Sequence, residues 1–455
     1  MSERKSGSIG IAAEPGSRYQ LRLPFDEPIE IRIEDSGDVK GKLSDLLNRD
    51  LTFRGERTNY ASHNIHAFAA KFPPQLPRLF INELTRPGER VLDPMVGSGT
   101  TLVEAVLAGR EGIGIDLDPL ALIITKVKST AFDLPLCVKT GIDVLRCARR
   151  RFRSISEYEI RRSYSDKAME FFRYWFEERV IYELYALADT IRSVENPDVR
   201  TFLEVVFSSI IITKTGGVSR ARDLAHTRPH RDINKKIRGN VFDIFWDRMI
   251  SAIQSLEDIV DAPGTAYVIQ ADARRLPLAS ESVHLIVTSP PYVANAIDYM
   301  RAHKFSLIWL GYEPEDLTDL RRRYIGAELR YSNLDFPSEI CNNVLRMLKQ
   351  RDERRAEVVA YYFHDMEVIL REMLRVTAKG SPVILVVGSS TIRGVKIQTP
   401  VILAEIASSI GFHLIGIAKR EIIRDARMMP VSRRSQRTGI EARMHEEGVI
   451  CLIKP

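Results

Sequence analysis

The chain has 455 residues, with 66 Lys and Arg against 60 Asp and Glu, a formal net charge of +6 and a sequence pI near 9.0. That length accommodates a catalytic domain plus an insert. No apolar run approaches the roughly eighteen residues that cross a bilayer and no signal peptide is recognisable, so neither a membrane span nor export is expected and a cytoplasmic location is. Cys137, Cys147, Cys341 and Cys451 show no paired spacing and read as reduced thiols.

Residues 20–24 and 29–33 alternate as surface strands do, after a start expected to be disordered, so residues 1–50 read as an N-terminal extension. Residues 90–101 predict a short strand, a glycine-bearing turn and a helix beginning near Thr101. Gly97 and Gly99 permit close backbone approach to a ligand at the helix N-terminus. The turn lacks the third glycine of the dinucleotide fingerprint, and no lysine follows as in a Walker A loop. Residues 111–116 form a second strand ending in Asp116, where nucleotide-binding α/β folds hold ribose hydroxyls. Asp118, just before Pro119, reads as a helix N-cap.

Between Pro119 and Ala266 the composition shifts to helix formers and charge. A helical stretch begins at Ala168 and runs on through Ala188, and its aromatic residues at 171–176 read as core rather than as a stacking platform. A turn at Asn196-Pro197-Asp198 precedes a second apolar helix, broken by Gly216-Gly217. A polar, basic loop follows at 219–231, with Arg220 and Arg222 as candidate phosphate contacts. Its His226 and His230 have no cysteine or acidic cluster to complete a metal site, so no metal is expected.

Residues 266–272 predict a strand ending in Asp272, whose carboxylate can accept from an adenine amino group. The apolar run 283–288 then stops at Ser289-Pro290-Pro291-Tyr292. Two prolines end a strand and stiffen the backbone beyond it. The result is a shelf with a hydroxyl, free carbonyls and an aromatic face, suited to a planar substrate with an exocyclic amino group. A proline-terminated strand with a packed tyrosine explains the tetrapeptide equally well when taken alone. Four strand ends thus converge on one edge of a parallel sheet. Further on, 364–374 and 401–407 read as helices, and 382–388, 414–418 and 448–453 as strands. Basic runs at 149–153, 321–323 and 433–437 fit either phosphate contact or a solvated surface; Arg433 and Arg434 lie on a polar loop where a target strand can pass.

Taken together, Asp93-Pro94-Met95-Val96-Gly97-Ser98-Gly99-Thr100-Thr101 and Thr288-Ser289-Pro290-Pro291-Tyr292 resemble the cofactor loop and catalytic motif of S-adenosylmethionine-dependent DNA amino-methyltransferases, of the N4-cytosine type. The segment 63–76, containing Phe72, resembles the part of such enzymes that closes over the methionine end of the cofactor, and 292–299 is also similar. The resemblance covers most of 55–130 and 262–455. Met95 stands where the family more often has Phe, a soft substitute that relaxes shape restriction.

The resemblance implies a class I methyltransferase Rossmann-like α/β fold: a seven-stranded, mostly parallel sheet with one antiparallel strand near the edge. It divides the chain into a cofactor half at 51–130, a mainly helical insertion at 131–261 that helps grip or recognise DNA, and a catalytic half at 262–455. S-adenosylmethionine is the implied cofactor, with Phe72, Asp93, Pro94, Gly97, Ser98, Gly99, Thr100, Asp116 and Asp272 around it. Ser289, Pro290, Pro291 and Tyr292 are the implied catalytic residues, DNA the substrate, and a separately acting restriction endonuclease the implied associate. No Pro-Cys dipeptide offers the nucleophile of a C5-cytosine methylase, which points to an amine target. Ser289 leans toward cytosine N4. Adenine N6, an RNA base, and a catalytically silent DNA- or cofactor-binding protein are the other readings.

Overall fold

The computed structural model describes residues 9–11, 36–213, 217–221, 239–293, 298–327, 335–422 and 446–455, with Leu329, Tyr331 and Asn333. Its centre is a sheet of β1 (Ile9–Ile11), β2 (Arg90–Asp93), β3 (Glu111–Asp116), β4 (Thr265–Gln270), β5 (Leu285–Thr288), β6 (Pro382–Gly388), β9 (His413–Glu421) and β10 (Glu446–Ile453). A separate hairpin pairs β7 (Ser390–Ile392) with β8 (Val395–Ile397). The order is β1-β4-β3-β2-β5-β6-β10-β9, and β10 runs antiparallel to both its neighbours, β6 and β9. This is the Rossmann-like class I methyltransferase sheet, with one addition. The expected seven strands are joined by β1, which pairs parallel to β4 at the edge within a start expected to be disordered. Residues 20–24 and 29–33 lie outside the described residues.

Strands β5 and β6 are buried along their whole length, as expected of parallel strands covered on both faces. One face carries the long helix Glu353–Val376 and the helix Thr399–Ser409 in a shared apolar cluster. Between β2 and β3 runs the helix Thr100–Leu107, and Leu102 lies so close to Gly114 that a Cβ there would come within 2.7 Å of it.

From β3 to β4 the described chain forms no strand. It supplies the helix Pro119–Ser129 and then Leu134–Phe152, Glu157–Ser163, Asp166–Trp175, Glu178–Arg192, Pro197–Ile211 and Val241–Val260. Local chemistry starts several of them: Ser156 and Glu159 form a capping box, and Asn196 and Asn240 cap with their side chains. The stretch read as continuous from Ala168 to Ala188 is broken at Phe176 and Glu177, both in extended conformation, although neither is Gly or Pro. The break lets Phe172 and Phe176 enter the core from one helix while Leu184 and Leu187 enter it from the next.

These helices share one apolar cluster with Pro119–Ser129 and with the helix Tyr299–Trp309 that follows the proline shelf. Phe172 stacks on Trp309, with ring centroids 3.7 Å apart and planes 14° apart. The aromatics at 171–176 are therefore mainly core, with Tyr174 facing outward at 58% exposure. Replacing Phe172 by Ala should lower unfolding stability by about 3 kcal/mol and shift Trp309 emission. Chemical denaturation followed by fluorescence checks this, and an unchanged midpoint would contradict the packing.

Candidate active site

A cavity of about 520 Å³ opens at the carboxyl ends of β2, β3 and β5. Phe72, Asp93, Pro94, Gly97, Ser98, Thr100, Asp116, Ser289 and Pro291 line it, so the glycine turn and the proline shelf face one space. Gly99, Pro290, Tyr292 and Asp272 do not line it. Arg220 is also absent from its wall, and its backbone N–H donates to the Trp175 carbonyl at 2.7 Å. Arg222, Arg433 and Arg434 lie outside the described residues, as do His226 and His230. Among the described residues, no three His, Cys, Asp or Glu side chains are grouped to hold a metal, and no helix is long and apolar enough to cross a membrane.

Gly99 is the N-cap of the Thr100–Leu107 helix at φ 77°, and a Cβ on it would lie 2.9 Å from the Thr125 side chain. It seats the turn on the helix Pro119–Ser129 rather than facing the cavity. From that helix the Thr125 hydroxyl donates to the Gly97 carbonyl at 3.1 Å, and the buried Lys128 ammonium donates to the Ser98 carbonyl. Burial pushes the Lys128 pKa well down, with Lys71 adding to the shift and Glu104 opposing it.

Asp93 is almost fully buried at the end of β2. Its Oδ1 accepts from the Thr288 hydroxyl at 2.6 Å and the Met95 N–H at 3.2 Å. Burial pushes its carboxyl up to about 6 despite these bonds. Asp116 accepts from the Gly97 N–H on one oxygen and the Asp118 N–H on the other, both at 2.9 Å. Each oxygen keeps an acceptor site free, so a pair of hydroxyls can still bind. Burial and the nearby Asp118 charge push its carboxyl up to about 6.

Asp118 is the N-cap expected of it, accepting from the N–H groups of Leu120 at 2.9 Å and Ala121 at 3.2 Å. Its other oxygen meets His303 Nδ1 at 2.6 Å and the Tyr324 hydroxyl at 2.8 Å. Burial opposes ionisation, yet His303 and Tyr324 hold this carboxyl below the ordinary value. Tyr299, His303 and Tyr324 all line the cavity and were not singled out as site residues from sequence. The available signal was the i, i+4 spacing of Tyr299 and His303 just after the shelf; both rings pack against Phe68, with centroids 5.4 and 5.1 Å away.

Two expected residues are engaged elsewhere. Asp272 binds Arg274 through both oxygens, at 2.9 Å to Nε and 2.7 Å to Nη2, and Arg274 also reaches Asp365 at 3.0 Å. In this structure its carboxylate is satisfied by a guanidinium, where an adenine amino group was expected. Tyr292 packs against the core beneath the shelf, and its hydroxyl donates to Glu447. Its ring does not face the cavity where stacking was expected.

Residues 20–126 match the sequence model of a family described as DNA methylase. The chain is 25% identical over 414 residues to the type II methyltransferase M.MvaI of Kocuria varians, covering 82% of this chain and 87% of that protein. It is 22% identical over 460 residues to the type II methyltransferase M.AvaI of Nostoc sp., covering 90% and 91%. A shorter match, 33% identical over 141 residues, relates 31% of the chain to 26% of the type II methyltransferase M.MjaII of Methanocaldococcus jannaschii. The chain is thus similar to DNA methyltransferases along most of its length.

The buried acids of this protein make its stability depend on pH. A carboxyl raised from 3.8 to about 6 in the folded state contributes stability that is fully present below its unfolded value and lost as pH rises through about 6. The stability of the Asp116→Asn variant relative to wild type should therefore rise by on the order of 2 kcal/mol between pH 4 and pH 7. Urea midpoints across that range check this; a pH-independent difference would show that Asp116 does not titrate as its burial demands.

Proposed function

We propose that the protein transfers the methyl group of S-adenosylmethionine to the exocyclic N4 amine of cytosine in DNA. The observation that carries this reading is that the glycine turn and the Ser289 shelf line one cavity and are joined by the Thr288–Asp93 hydrogen bond. The residues suit that cofactor. The cavity is of small-molecule size, Asp116 has acceptor sites for two ribose hydroxyls, Gly97, Ser98 and Thr100 offer a close backbone surface, and Phe68 and Phe72 supply apolar walls. When bound, S-adenosylmethionine supplies an electrophilic methyl on a sulfonium.

The protein's part is to present the amine. A base swung out of the duplex reaches the shelf. The Ser289 hydroxyl accepts from one of its N–H groups. The lone pair of such an amine is conjugated into the ring, so acceptors that draw the nitrogen toward tetrahedral geometry act mainly in the transition state. No covalent intermediate with the protein is required. Arg321 and Arg322, which line the cavity, are exposed; Arg321 pairs with the half-buried Asp298 at 2.7 Å and Arg322 with the exposed Asp319 at 2.9 Å. DNA phosphates can replace such acids at little cost. A separately acting restriction endonuclease is the associate this reading implies.

The test is mass spectrometry of nucleosides from methylation-deficient cells expressing the protein. N4-methylcytosine should accumulate, and N6-methyladenine in its place would overturn the base assignment. Ser289→Ala should lower kcat roughly tenfold or more while leaving S-adenosylmethionine affinity within twofold; equal losses in both would remove Ser289 from the chemistry.

A further inference from the structure

The helix Pro314–Arg323 has Glu315 and Asp316 in its first turn and Arg321, Arg322 and Arg323 in its last. The three arginines are exposed, and Arg322 lines the same cavity as Ser289. Acids first and bases last suit the helix dipole, but the dipole does not dictate where the basic end lies. Side chains from separate elements do. The Tyr324 hydroxyl, one residue beyond the helix, donates to Asp118 Oδ2 at 2.8 Å. Arg274 Nη2 donates to the Arg323 carbonyl at 2.8 Å while the same guanidinium holds Asp272 and Asp365. Arg321 meets both oxygens of Asp298, at 3.1 and 2.7 Å, at the start of the helix Tyr299–Trp309. Asp118 follows β3 and Arg274 follows β4, so the basic end is tied to the sheet edge that forms the cavity. Asp118 carries the link further: its N–H donates to Asp116 Oδ1 at 2.9 Å, and its other oxygen caps the helix Pro119–Ser129.

We propose that Tyr324 is a positioning residue for DNA, fastening the basic end of the helix Pro314–Arg323 to Asp118 so that Arg322 and Arg323 meet phosphates beside the base that enters the cavity. The proposal rests on the reading of DNA as the substrate. A base swung out of the duplex leaves its own phosphates at the cavity mouth. Phosphate contacts fix the register of a nucleic acid on a protein, and they do so only if their own backbone is fixed. Arginine side chains are long and exposed here, so the rigidity has to come from the helix that bears them. A hydroxyl bonded to a carboxylate is a strong tether of this kind. Tyr324 itself lines the cavity, so the tether runs within the wall shared by the glycine turn and the shelf. The same geometry gives Arg274 and Asp272 a second duty: with no part in the cavity wall, they hold the Arg323 carbonyl in place.

The test compares Tyr324→Phe, Arg322→Gln, Arg323→Gln and their combinations. Binding of a labelled mixed-sequence duplex is followed by fluorescence anisotropy at several salt concentrations, and binding of S-adenosylmethionine by calorimetry. Arg322→Gln and Arg323→Gln, which alter only exposed side chains, should each lower the slope of log affinity against log salt by about one. Tyr324→Phe should weaken duplex binding roughly fivefold, the worth of one hydrogen bond, and leave S-adenosylmethionine affinity within twofold. In the Arg322→Gln Arg323→Gln background Tyr324→Phe should have no further effect on duplex binding. Unchanged salt slopes in both arginine variants would overturn the phosphate contacts. Full duplex affinity of Tyr324→Phe, equal losses for duplex and S-adenosylmethionine, or losses that multiply with those of the arginine variants would overturn the positioning role. A wild-type protein that binds S-adenosylmethionine and no duplex would instead overturn the reading of DNA as substrate.

Discussion

One buried hydrogen bond, from the Thr288 hydroxyl to the Asp93 carboxylate, fixes the distance between the two halves of the site. The two residues close adjacent parallel strands, β5 and β2, and both are almost completely buried. Everything that follows Asp93 is the glycine turn, and everything that follows Thr288 is the proline shelf. A second bond, from the Thr101 hydroxyl to the Val287 carbonyl at 3.1 Å, ties the helix behind the turn to the same strand. In a low-dielectric interior such bonds are costly to leave unmade, so turn and shelf move as one body. Methyl transfer demands this, since a displacement of about an ångström between reacting groups lowers rates strongly.

The same economy of acceptors recurs at Asp118. One carboxylate caps the helix Pro119–Ser129 with one oxygen and holds His303 and Tyr324 with the other. The cap orients the helix whose Thr125 and Lys128 support the turn from behind. The His303 contact fixes the helix Tyr299–Trp309, which roofs the cavity on one side and enters the core of the helical stretch on the other through Trp309. The six helices described between Thr130 and Ala262 are thus packed into the wall of the site through a shared apolar cluster.

What the sequence made legible was local. Strand ends, the two glycines, the N-cap before Pro119 and the helix starts at Asn196 and Asn240 each depend on residues a few positions apart. The pairing of loop and tetrapeptide then placed them at one sheet edge, because parallel strands leave their ligand sites there. The features missed depend on partners remote in sequence. Arg274, which satisfies Asp272 from two positions away, is itself held by Asp365, 91 positions on. Tyr292 turns to Glu447, 155 positions away, and Tyr324 finds Asp118 across 206. No pattern along the chain announces such pairs. The break at Phe176 was equally hidden, since the packing of Phe172 and Phe176, and no Gly or Pro, ends that helix.

Charge divides in the same way. In the runs at 149–153 and 321–323, Arg149 meets Asp243, Arg321 meets Asp298 and Arg322 meets Asp319 with all three guanidinium groups more than half exposed, while Arg151 is half-buried against Asp189 and Tyr185. Exposed pairs of this kind are weak and screened by salt, so their guanidinium groups stay available to phosphate. Arg420 is different, being paired with Glu447 where water is largely excluded, and the half-buried Arg274 is held by two acids, Asp272 and Asp365. Removing the acid from the Arg420–Glu447 pair leaves a buried charge uncompensated, at a cost of several kcal/mol. These two arginines are therefore bound to the architecture. The modest net charge of +6 conceals this division of labour, in which buried guanidinium groups hold the site together and exposed ones can face DNA.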